Sequence, residues 1–267
     1  MWTDRARVLH DVSAGDWIRP RLGGWGTVTG LLPGGFDAYA RVLHPVVGRH
    51  PGAADDAPWL PVQWADVAVV TGRTVHPLVQ WHRLIGYEGP EPWSPRSALW
   101  PEGEPRPGSL ALPQLGALCR ALAPHTTTPD RCLIAMWEGW GALNGGSVRL
   151  TIEDGRTTAV EPLPRAFTDA EWAAPRFRLP DRGYLLLAGP LDAVADVSRG
   201  PFDDDGQSPA LVWPADRAWC VSTEVDHDST VVGGSRAAVD AVLADPALEA
   251  VEVGPDDSLA FDADAVN

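Results

Sequence analysis

The chain has 267 residues, 45% of them hydrophobic and 21% charged, which is enough to bury a full core without metals or disulfides and too apolar for a disordered chain. Its 36 acidic residues outnumber 21 basic ones, for a formal charge of -15, a balance that repels nucleic acid at long range. Every basic residue is Arg and none is Lys, so a lysine phosphate loop, a Schiff-base lysine and a kinase-type lysine are all excluded.

The opening residues carry no apolar leader segment, and no apolar run approaches the length a bilayer needs. Cys119, Cys132 and Cys220 show no C-x-x-C spacing, and their odd number does not suit a disulfide framework. A cytoplasmic protein without a membrane span is the expectation.

Taken in chain order, Thr27 to Leu32 and Ala38 to Leu43 read as short strands joined through Pro33-Gly34-Gly35, a predicted hairpin. Trp64, Val67, Ala68 and Thr71 share one helical face and Gly72 stops that helix. Pro77 then opens a second, with Leu78, Trp81 and Ile85 on one face and Gly86 at its end. Residues 86–113 hold Pro90, Pro92, Pro95, Pro101, Pro105 and Pro107, which forbid regular structure. Trp93, Leu99 and Trp100 within it predict a loop packed onto the body. Leu115, Leu118, Cys119 and Leu122 mark the clearest helix, from Pro113 to Pro124.

Strands are predicted over Cys132 to Trp137, Ser147 to Ile152, Tyr184 to Ala188, Leu211 to Trp213 and Trp219 to Val225. A short helix runs through Leu191, Val194 and Ala195, and Ser235 caps another carrying Val239, Val242 and Leu243 before Pro246. The acidic end, Pro255 to Asn267, is expected to fray. Irregular alternation of elements predicts an α+β fold with a mixed or antiparallel sheet and packed helices. It forms one domain over 1–267, or alternatively an N-terminal lobe over 1–85 and a C-terminal lobe over 114–254.

Two constellations carry possible chemistry. On a strand from Trp219 to Val231, Trp219, Val221 and Val225 face one way, and Ser222, Glu224, Asp226, Asp228 and Thr230 the other. Glu224, Asp226 and Asp228 then form a carboxylate stripe whose mutual repulsion requires arginines, solvent or a divalent metal, and these three are the candidate metal ligands. In Trp137-Glu138-Gly139-Trp140-Gly141, two indoles flank a carboxylate at a strand end, a candidate ligand cleft. Trp137, Glu138, Trp140, Trp219, Glu224, Asp226 and Asp228 are thus the candidate ligand-binding residues. With 13 Trp in the chain, core packing is the competing reading for the indoles.

Several stretches resemble known families. Trp137 to Gly141 with Asp216 to Cys220 and Asp228 to Ser235 resemble a family of actinobacterial proteins to which no activity is assigned, which implies lineage and no reaction. Tyr184 to Glu249 is similar in outline to the SUKH immunity-protein superfamily: an aromatic strand, an acidic turn, then a capped helix after a second strand. That resemblance implies toxin binding without catalytic residues. Asp226-His227-Asp228-Ser229-Thr230 resembles the D-x-D-x-T nucleophile motif of haloacid dehalogenase phosphatases, but that family places it early in its domain, and only 37 residues follow it here. Asp66 to Thr74 with Pro77 to Val79 resembles the helix-turn-helix of LacI-type repressors, although the second helix offers only Gln80, His82 and Arg83 as polar readers. The reading that results is a non-enzymatic binding or interaction protein, immunity-like in outline, with another protein as the expected partner, no cofactor and no nucleic acid. The alternative is a divalent-metal-dependent hydrolase built on residues 224–228. The oligomeric state is left open.

Overall fold

A computed structural model describes residues 3–49, 53–54, 56–87, 89, 95, 97–153, 156–199 and 206–267. Its strands, in chain order, are β1 (Arg7–Val8), β2 (Ala38–Leu43), β3 (Val46–Gly48), β4 (Leu60–Val62), β5 (Cys132–Trp137), β6 (Val148–Glu153), β7 (Arg156–Pro162), β8 (Phe177–Leu179), β9 (Arg182–Gly189), β10 (Leu211–Pro214), β11 (Trp219–Ser222), β12 (Ser229–Gly234) and β13 (Ala250–Val253). The α-helices are α1 (Val28–Leu31), α2 (Trp64–Thr71), α3 (Trp81–Leu84), α4 (Leu112–Leu122), α5 (Gly141–Asn144), α6 (Asp169–Trp172), α7 (Ala193–Arg199) and α8 (Arg236–Ala244). The fold is α+β, and among the described residues no helix is long and apolar enough to cross a membrane.

One antiparallel sheet organises the chain, in the order β1-β9-β5-β10-β11-β12-β2-β13, with β8 added beside β9. Strand β2, from the first third of the sequence, lies between β12 and β13 from the last. Both faces of the sheet are covered, so alternate side chains enter different cores. Ile134 and Met136 pack beneath α4, α7 and α8 with Leu185, Leu187, Trp219 and Val221. Leu133, Ala135, Leu186 and Cys220 pack on the opposite side with Trp17, Ile18, Leu32 and Phe177. A third cluster joins β3, α2 and α3 through Val46, Trp64, Trp81 and Trp100.

The best-patterned elements form as their sequences dictate. Leu115, Leu118 and Leu122 are buried on α4, and the Ser235 hydroxyl caps α8 by accepting from the Ala238 amide at 3.3 Å. Gly72, at φ 67°, ends α2 in the left-handed conformation that glycine adopts without a Cβ penalty. In the proline-rich loop Trp100 is buried and Leu99 exposed; Pro90, Pro92 and Trp93 lie outside the described residues.

Four expectations are corrected. Thr27 to Leu32 is not a strand: Val28–Leu31 is one helical turn whose Val28 and Thr29 amides donate to the Asp257 and Pro255 carbonyls. Strand β2 already has partners on both edges, so no hairpin can form there. The helix expected from Pro77 shrinks to Trp81–Leu84, because the Pro77 and Val79 carbonyls, which an early turn of that helix would use, accept from the Arg41 guanidinium. The strand expected over Trp219 to Val225 stops at Ser222 and turns back at Ser229.

The acidic end is not frayed either. It follows β13, which pairs with β2, and the Ser258 backbone bridges Thr27. Asp264, whose side chain is fully buried, accepts from the amides of Gln80, Val266 and Asn267, from the Asn267 side chain and from His76 Nε2 at 2.8 Å. These donors outweigh burial and hold the Asp264 carboxyl well below its usual pKa. Hydrogen bonds to a buried carboxylate are among the stronger ones. Asp264→Ala is therefore expected to cost at least about 2 kcal/mol in urea denaturation and to open residues after 254 to limited proteolysis; a tail still protected in that variant would show that Asp264 is not its anchor.

Candidate functional site

Residues 223–228 form the turn between β11 and β12, closed by the His227 amide donating to the Glu224 carbonyl at 3.0 Å. Glu224, Asp226 and Asp228 therefore do not line up on a strand face. Arg182, on β9, donates to Glu224 at 3.0 Å and to Asp226 at 2.8 Å. Arg41, on β2, donates to Asp228 at 3.3 Å. Among the described residues no group of three His, Cys, Asp or Glu side chains could hold a metal ion, so the metal-ligand set expected at 224, 226 and 228 is not assembled.

The second constellation is displaced too. The Trp137 and Trp140 rings meet edge to face, 5.4 Å apart, and they pack toward opposite cores. Glu138 accepts from Arg176 Nε at 2.8 Å and lies 3.8 Å from Arg178. Trp219 is fully buried beneath the helices and can touch no ligand. Arg182 joins the two constellations, its guanidinium lying 5.6 Å over the Trp137 ring while it pairs with Glu224 and Asp226. Those carboxylates outweigh its burial and hold its pKa above the ordinary value. One polar side chain on a strand reading Arg-Gly-Tyr-Leu-Leu-Leu gave no sign of this role in the sequence.

The turn instead forms one wall of a cleft of about 580 Å³, to which it contributes Val225, Asp226, His227 and Asp228. The second wall is the loop with Glu104, Pro105 and Pro107, the third is Leu259 to Phe261 of the tail, and Gln80, Trp81, His82 and Pro95 complete the described lining. Phe261 lies with its ring 6.4 Å from that of His82. The indole N–H of buried Trp81 has no acceptor among the described residues.

Two buried side chains hold the walls in register. Arg41 is 1% exposed. Its Nε donates to Ser229 Oγ at 2.8 Å, and one Nη donates to the Val79 and Pro77 carbonyls at 2.7 and 3.3 Å. The guanidinium also lies 5.9 Å over the Trp64 ring. Arg41 thus connects the turn at Asp228 to the segment that leads into Gln80.

His44 is fully buried, and desolvation lowers its pKa to about 4. It is therefore neutral, and because a carbonyl can only accept, Nδ1 carries the proton and donates to the Arg106 carbonyl at 2.8 Å. Nε2 then accepts from the Thr230 hydroxyl at 2.9 Å, which in turn accepts from Thr223 at 2.8 Å. Two residues on, the Gly108 amide donates to the His227 carbonyl at 2.8 Å. Gly108 has φ 67°, and a Cβ there would come within 2.6 Å of the Val225 carbonyl oxygen, so only glycine allows this loop to close on the turn.

The chain matches no protein-family model, and no curated protein or solved structure matches it.

His82 and His227 also have lowered pKa values, in each case chiefly through burial. A histidine neutral in the fold but protonated when unfolded supports stability fully above pH 6.5 and loses it as pH falls toward the folded pKa. Unfolding free energy is expected to be level above neutrality and to drop between pH 6.5 and 4, with His44 contributing roughly 1.4 kcal/mol per pH unit. His44→Gln should flatten the slope by about that amount. A stability maximum near pH 5 in the parent protein would contradict this assignment.

Proposed function

We propose that the chain is a binding protein and that its recognition site is the cleft between the 223–228 turn, the 104–107 loop and the C-terminal tail. The observation that carries this reading is the state of the polar groups along it. Asp226 and Asp228 are each engaged by an arginine, and no Ser, Thr or Cys stands among the described lining residues. Catalysis by a hydroxyl or thiol nucleophile needs that group beside its base, and metal-dependent hydrolysis needs converging unpaired ligands. The cleft instead combines apolar and aromatic surface from Trp81, Leu259 and Phe261 with a few polar groups held in place from behind, the composition of a ligand-binding site.

The partner chemistry follows from the charge. Glu104 lines the cleft with the two aspartates on a chain of net charge -15, which favours encounter with cationic partners and disfavours nucleic acid. A basic protein or peptide fits this surface and accords with the interaction role expected from the sequence.

Phe261 is 62% exposed, so Phe261→Ala should leave the fold intact while removing a large part of one wall. In a thermal-shift screen against amines, basic peptides, sugars, nucleotides and divalent metals, the expected result is stabilisation by a cationic compound. That shift should fall at least about fivefold in apparent affinity in Phe261→Ala with the ligand-free Tm unchanged. Stabilisation by a divalent metal alone, lost in Asp228→Asn, would overturn the binding reading in favour of the hydrolase.

A further inference from the structure

A separate pocket of about 250 Å³ lies on the sheet face packed with Trp17 and Phe177, between the 22–31 segment, the turn joining β8 to β9 and the end of β11. Its described lining shares no residue with that of the cleft, so the two sites stand or fall separately. Tyr184 and Ser222 are buried in its floor, and Trp25 and Asp181 are exposed at its rim. We infer that this pocket is a site for a neutral polyhydroxylated ring, a single sugar residue, whose hydroxyls bond to Tyr184, Ser222 and Glu224 and whose C–H face lies against the Trp25 indole.

The floor carries hydrogen-bonding capacity that the fold leaves unused. Tyr184 and Ser222 are each 3% exposed, yet neither hydroxyl has a hydrogen-bond partner among the described residues. Buried hydroxyls are nearly always partnered, so two unpartnered ones in one pocket call for a ligand or solvent. The Tyr184 phenol lies close enough to the lining residues Glu224 and Arg182 for their charges to act on it. Burial, and after it Glu224, raises its pKa, so it stays a neutral O–H able to donate and to accept. Both Arg182 bonds to Glu224 end on Oε1, at 3.3 and 3.0 Å, which leaves Oε2 as an acceptor without a donor among the described residues. Charge selects the ligand class. Arg182 and Glu224 stand paired in the lining, so an ionic ligand of either sign meets a like charge there, whereas hydroxyls match the two hydroxyl partners and the spare carboxylate oxygen. Trp25 is 76% exposed and has no ring, cation or hydrogen-bond contact among the described residues, so its indole face is available. A sugar ring has a polar edge and an apolar C–H face, and the latter suits the negative face of an indole. The volume is smaller than that of pockets for drug-sized ligands and limits the occupant to about one ring.

The test is saturation-transfer NMR and isothermal titration of the full chain with glucose, galactose, mannose and N-acetylglucosamine, with their methyl glycosides, and with cyclohexanol and cyclohexylammonium as apolar and cationic controls. At least one sugar should bind, and the two controls about tenfold more weakly or not at all. Tyr184→Phe should weaken the sugar about fivefold and leave the ligand-free Tm level or higher, because the hydroxyl it removes bonds nothing in the fold. Trp25→Ala should weaken it about tenfold with Tm unchanged, and Phe261→Ala not at all. A methyl glycoside that binds as tightly as its parent sugar assigns the site to the end of a glycan, and one that fails to bind assigns it to a free sugar; each outcome upholds the site. No binding by any sugar, equal or tighter binding of either control, or unchanged affinity in both pocket variants overturns it. A clear fall in Tm of Tyr184→Phe shows that the hydroxyl has a structural partner and overturns it as well. Sugar binding lost in Phe261→Ala places the sugar in the cleft and removes the separate site. If the sugars fail while a cationic ligand still stabilises the chain through Phe261, this pocket alone is wrong and the cleft stands.

Discussion

Burying the guanidinium of Arg41 is the constraint on which the rest of this structure depends. Taking a charge out of water costs several kcal/mol unless its donors are satisfied and a counter-charge is close. Arg41 meets that condition by drawing together parts of the chain that are far apart in sequence: Pro77 and Val79 ahead of α3, Asp228 and Ser229 at the start of β12, and the Trp64 ring of α2. A planar fork with five donors can satisfy this set, and a lysine ammonium cannot. The helix expected from Pro77 is given up to it, and the cleft lies where these segments meet.

Arginine has a second use in the same region. The acidic turn would repel itself if its carboxylates stood in a row, but Arg182 takes Glu224 and Asp226 on one side and Arg41 takes Asp228 on the other. The buried member of each pair fixes geometry more than it adds stability, since exposed pairs such as Arg182 with Asp226 contribute little. The result is a surface acidic in net charge yet rigid at its rim, lined by imidazoles kept neutral by burial. Such a surface accords with the recognition role proposed above.

Elements whose apolar pattern matches one period were legible in the sequence. Helix α4, with leucines at 115, 118 and 122, and the runs Cys132–Trp137 and Arg182–Gly189 had no competing pattern. The turn at 223–228 was hidden because Thr-Glu-Val-Asp-His-Asp contains no Gly, Pro or Asn, so polar alternation passed for a strand. The acidic residues of the tail suggest fraying, whereas Asp264 accepts from the Gln80 amide and the His76 side chain, both far away in the chain. Of the candidate site, Asp226 and Asp228 do line a cleft, but Trp219 belongs to the core and Trp137 and Trp140 to packing. Arg41, His44 and Arg182 carry no local motif, because their hydrogen-bond partners lie more than 35 residues away in the chain, and only the strand register brings them together.

Arg41→Lys isolates the guanidinium fork from its charge, and amide hydrogen exchange of that variant tests the account most directly. Faster exchange at residues 78–82 and 226–230, with β5 and β9 as protected as in the parent protein, is the predicted result. Unchanged protection in both segments would contradict the claim that Arg41 holds the walls of the cleft together.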